Sequence, residues 1–169
     1  MDQKAQAAAA KEWLLRYRDA ARDSMALDSR IAAMRSRIES ARTSNLDGMP
    51  RGSGFEGDNV GAALSRLSEL EDESRECRAH AMALYHEIND TIKRITGPDS
   101  PYQRAVLQMR YLDGSKWDEI AEMLFGDDPD DFDLKQDSYL RRVFKLHGAA
   151  LSKLAELIPL DECETVQKG

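Results

Sequence analysis

The 169 residues carry a net charge of −7, which excludes a chain that coats nucleic acid through bulk positive charge. Charged residues make up 33% and aromatic residues 7%, a balance that suits helices with narrow apolar stripes better than a thick globular core. No stretch alternates apolar and polar residues for long enough to argue a sheet. Cys77 and Cys163 stand in no CxxC pair and near no histidine cluster, so they read as reduced thiols of a cytoplasmic chain. The start, MDQKAQAAAAKEW, has no apolar run of signal-peptide type, and no segment approaches the roughly 20 apolar residues of a membrane span.

The expected fold is all-α: a long antiparallel, coiled-coil-like helical hairpin over 1–97, a three-helix unit over 98–158, and a frayed tail over 159–169. The first helix carries a loose seam at Leu14, Tyr17, Ala21, Ser24, Asp28, Ile31, Met34, Ile38 and Ala41. Asp28 weakens it, with Met25 and Leu27 on its flanks. The segment LDGMPRGSGFEGDN, 46–59, then turns the chain. Gly48 suits a positive φ, Pro50 stops helix propagation, and Asp58 or Asn59 caps the next helix. The segment lacks the spacing of a P-loop. Met49, Pro50, Arg51, Gly52, Ser53 and Gly54 read equally as a plain turn or as a tip whose arginine meets a partner.

The second helix has a stricter seam, with steps of three and four from Val60 through Ala63, Leu67, Leu70, Ser74, Cys77, Ala81, Leu84, Ile88 and Thr91 to Ile95. Such a stripe needs a partner helix, supplied within the chain or by a second copy. Gly97-Pro98 opens the C-terminal part. SPYQRAVLQMRYLDG predicts a helix from Ser100 to Gly114 with Val106, Leu107, Met109 and Tyr111 inward. SKWDEIAEMLFG predicts a short helix capped by Ser115, with Asp118 completing a capping box and Trp117, Ile120, Ala121 and Leu124 inward. DDPDDFDLKQ reads as an acidic loop within 126–136, without the glycine and glutamate of an EF-hand. The final helix is expected to start at Asp137 or Ser138, with Val143, Leu146 and Ala150 inward. Leu140, Phe144, His147, Leu151 and Leu154 form a second stripe, which a second subunit or the acidic insert would cover.

A short helix followed by a helix with early arginines is the outline of a helix-turn-helix, whose second helix lies in the DNA major groove. Ser138, Arg141, Arg142 and Lys145 are the expected contacts from the final helix, and Ser115 and Lys116 from the bracing one. No histidine spacing suits a metal, no nucleophile stands in a catalytic triad pattern, and neither an enzyme nor a cofactor is expected. The segments RAVLQMRYLDGSKWDEIAEML and VFKLHGAALSKLAEL resemble region 4 of the sigma-70 family, its promoter-reading helix-turn-helix. That resemblance places the base-reading positions on Leu140, Arg141, Phe144 and Lys145. With GMPRGSG at Gly48–Gly54 and KLHGAAL at Lys145–Leu151, the whole chain resembles a narrower family of phage and prophage proteins related to late regulators of the ArpU and RinA type. The resemblance implies a regulator in the bacterial host cytoplasm that binds double-stranded DNA at promoters beside RNA polymerase, with the hairpin as a possible homodimer contact. Two alternatives stand beside it: a helical protein–protein adaptor, and a DNA-binding component of phage packaging.

Overall fold

The computed structural model describes residues 3–44 and 57–158. The segment Met49–Gly54 and the tail 159–169 lie outside them. Among the described residues the regular structure is helical, as the composition required: α1 (Gln3–Ser44), α2 (Gly57–Lys93), α3 (Ser100–Leu107), α4 (Trp117–Phe125) and α5 (Pro129–Ala155). No described helix is long and apolar enough to cross a membrane.

The chain packs as two compact units, one of residues 19–82 and one of residues up to 18 together with those from 83 onward. In the 19–82 unit, α1 and α2 run antiparallel. Leu27, Ile31 and Leu70 are buried between them, with Met34, Leu67 and Cys77 partly buried alongside. Leu27 takes the inward place in the stripe that Asp28 interrupts; Met25 is 70% exposed. Asp28 accepts hydrogen bonds from the Ser74 hydroxyl at 2.7 Å and from Arg78 at 3.0 Å on both carboxylate oxygens. These partners hold the carboxyl below its usual range, the Ser74 hydrogen bond first. The polar notch thereby fixes which turn of α1 faces which turn of α2, as a single polar pair can in a coiled coil. α2 begins at Gly57, so Asp58 and Asn59, expected just ahead of the helix, fall within its first turn.

The other unit has the thicker core. Ala10, Trp13 and Leu14 of α1 cluster with Ile88 and Ile92 of α2, Ile95, Leu107, Tyr111, and Ala150, Leu151 and Leu154 of α5. A second cluster joins Val106, Ile120, Ala121, Phe132 and Val143. α5 therefore buries its inner face in two successive clusters. Leu151 and Leu154, expected to be covered by a second subunit or the acidic insert, are covered instead by α1 and α2 of their own chain.

Gly97, at φ +118°, turns the chain between α2 and α3, a conformation L side chains resist. Lys153 locks this corner, donating to the Thr96 carbonyl at 2.8 Å and to the buried Gln103 amide oxygen at 2.9 Å. After α3 the helix widens into a π turn over Gln108–Leu112, which carries Tyr111 into the core at 2% exposure. Gly114, at φ +78°, ends it.

Candidate nucleic-acid interface

The sequence places an acidic loop between the last two helices; the structure replaces it with helix. α4 ends at Phe125 and α5 begins at Pro129, leaving a turn of Gly126, Asp127 and Asp128. Proline is preorganised for the first helical position. Asp128 accepts the Asp130 N–H on its side chain at 3.1 Å and the Phe132 N–H on its carbonyl at 2.9 Å. Aspartates in the opening turns complement the positive end of the helix dipole. Phe132 then anchors the segment, 8% exposed in the second cluster. Asp137 and Ser138, predicted as caps, are exposed residues well inside the helix. The Asp-Pro pair, which would stop a helix running into it, here marks a helix start.

At α4 the cap also differs. Lys116 is the N-cap, and Glu119 accepts its backbone N–H at 2.8 Å; Asp118 does not complete the box. Ser115 instead closes the preceding turn: its N–H donates to the Met109 carbonyl at 2.9 Å, and its own carbonyl accepts from Arg110 at 2.9 Å. Lys116 is exposed and Ser115 half-buried.

Ser138, Arg141 and Lys145 are exposed and, at steps of three and four, share the face of α5 opposite Val143 and Ala150. Arg142 sits apart from them. Its guanidinium lies over the rings of Phe125 at 4.4 Å and Tyr102 at 5.9 Å, capping a ladder in which Phe125, Tyr139 and Phe132 stack at 5.4 and 5.6 Å. A cation held over aromatic faces gains packing and charge–quadrupole attraction, so Arg142 is first a lid on its own domain. Periodicity could not reveal this, because the ladder joins α3, α4 and α5.

On the other flank, the Trp117 ring lies 5.1 Å from Phe144 and 4.9 Å from His147, with Arg110 stacked over it at 4.7 Å. Phe144 remains 48% exposed. His147 Nε2 and the Tyr111 hydroxyl are 3.0 Å apart. Burial, with Lys11 and Arg110 nearby, lowers the His147 pKa to about 4, and burial raises that of Tyr111. His147 is thus a neutral packing residue at pH 7 and brings no charge to a phosphate.

The outer face of α5 is basic only in part. Asp130, Asp133 and Asp137 precede Arg141 and Lys145 and are exposed. The first turns, where a recognition helix commonly meets base edges, are acidic. A recess of about 470 Å³ in the 19–82 unit is lined by Arg35, Arg75 and Arg78 together with Asp28 and Glu71. Each of the arginines is paired with a carboxylate: Glu71, Asp72 and Asp28 respectively. No family model matches the chain, and no curated protein or solved structure matches it significantly, so the site stands on its own chemistry.

Proposed function

We propose that this chain is a DNA-binding transcriptional regulator of the sigma region 4-like kind, holding double-stranded DNA on the outer face of α5 and acting at promoters beside RNA polymerase. The observation that carries the reading is the three-residue turn from α4 to α5, with Ser138, Arg141 and Lys145 together on the outward face. A short turn of this kind is what a helix-turn-helix needs. Lys116, at the start of α4, supplies a backbone-phosphate contact in this reading, and Arg142 acts through packing.

The test is retention of fragments of the surrounding genome by the purified protein at moderate salt. Discrete retained sites are expected, and their positions relative to promoters separate transcriptional control from packaging. Changing Arg141 and Lys145 together to alanine should weaken binding and reduce the slope of log affinity against log salt by about 2, one for each phosphate that these side chains neutralise. An unchanged slope removes the assigned roles. The acidic opening turns of α5, with Leu134 86% exposed among them, favour a second reading as a helical adaptor for another protein. Absence of DNA affinity even at low salt selects it.

A further inference from the structure

The outer face of α5 holds a pattern that its own fold and DNA binding explain only in part: Phe144 rests against Trp117 at 5.1 Å and Arg141 belongs to the DNA face, but the rest of the row lies outside the core clusters. Asp130, Leu134, Asp137, Arg141, Phe144 and Gly148 follow one another at steps of four, three, four, three and four. That is the spacing of a helix–helix seam, and it runs along the side turned away from the core. Leu134 is 86% and Phe144 48% exposed. Among the described residues no side chain forms an ion pair with Asp137, Arg141 or Lys145. Gly148 is equally unexplained from within: a Cβ there meets nothing within 4 Å, although glycine inside a helix costs about 1 kcal/mol relative to alanine.

The pattern is also symmetric about Tyr139. Laid antiparallel on a second α5, Leu134 falls opposite Phe144, Asp137 opposite Arg141, and Asp130 opposite Gly148. Every apolar residue of the seam meets an apolar residue, every pairing of two charged residues is of opposite sign, and the glycine leaves room for close approach. The helix dipole alone accounts for acid at the start and base at the end, but not for two exposed apolar side chains in matching register.

We propose that the outer face of α5 is a twofold interface with a second copy of this chain, the two helices antiparallel and centred on Tyr139. A twofold interface must be self-complementary, and the charge pattern meets that condition. The seam spans about 27 Å of helix. An interface of that size belongs to the small, concentration-dependent class and is weakened by salt. Arg141 serves both this interface and the DNA face proposed above, so DNA and the second copy compete; the self-association itself does not rest on the DNA reading.

Sedimentation velocity of the full chain decides it, with circular dichroism confirming that each variant keeps its helix content. Wild type should self-associate. Asp137→Arg and Arg141→Asp each set like charges opposite one another twice and should weaken association about tenfold or more. In a mixture of the two, both positions are basic on one variant and acidic on the other, so opposite charges face each other again. The mixture should therefore recover a dimer that neither variant forms alone. A wild type that stays monomeric to about 0.2 mM, where an association with a Kd of about 1 μM would be nearly complete, overturns the proposal. So do single variants that associate as wild type, or a mixture that stays monomeric. Asp137→Arg separates the two readings: it should lose the dimer while binding DNA more tightly, because it adds positive charge beside Arg141.

Discussion

The two compact units stabilise the same kind of element in different ways. In the 19–82 unit, two helices share a seam one side chain wide, buried at Leu27, Ile31, Ser24, Leu70, Ser74 and Ala81. In the other unit, stretches of all five helices enclose Leu14, Ile88, Ile92, Ile95, Leu107, Ile120, Val143 and Leu154 at under 2% exposure. The first gains its register from a polar trio, Asp28, Ser74 and Arg78. The second gains its shape from side chains that meet in three dimensions. A two-helix seam cannot close around its residues, so each buried group contributes less and opens more readily.

The sharpest break is a truncation in each unit. Ile92→Ala, at a fully buried site, should cost about 3–5 kcal/mol, while Leu70→Ala should cost about 2 kcal/mol, because a two-helix seam collapses more easily around the lost volume. Denaturant titration reads both, and equal losses would mean that the two units fold as one. Hydrogen exchange should give lower protection across 19–82 than across the cores of α3 and α5.

A smaller effect is titratable. The folded pKa of His147, about 4, lies below the unfolded value near 6.5. The unfolded chain therefore binds the proton more readily. The associated stability is fully present above pH 6.5 and is lost as pH falls toward 4. Because solvent reaches part of the ring, the loss should be about 1–2 kcal/mol. His147→Gln should lower stability at pH 7 and remove this component of the slope, and a slope equal to wild type would place its origin elsewhere.

The smallest expected effect is at the polar notch. Asp28→Asn keeps the size but removes the charge that Arg78 faces, so melting temperature should fall slightly, and less at high salt. A fall as large as that of Leu70→Ala would show that the trio, and not the apolar seam, dominates this unit.

Much of this fold is legible in the sequence, and for a definite reason. Every seam residue assigned to α2, from Val60 to Ile95, is buried or half-buried, because a three-four period is a property of one helix and needs no knowledge of its partner. Ile120, Ala121, Val143 and Ala150 face inward for the same reason. The acidic insert is not legible in this way, because an isolated Asp-Pro signals a turn as readily as a helix start, and only the burial of Phe132 selects the helix. The stacking of Arg142 over Phe125 and Tyr102 is out of reach as well, since residues on three elements build it.

The helical class, the seam of α2 and the inward faces of the short helices all follow from local propensity and period, so the order of residues was enough to specify them. Packing was needed to settle the rest. It starts α5 at Pro129, covers Leu151 and Leu154 with their own chain while leaving Leu134 and Phe144 outside, and turns Arg142 to the aromatic ladder while Arg141 and Lys145 face outward. Those outcomes depend on which faces meet, and the faces belong to elements distant in the chain.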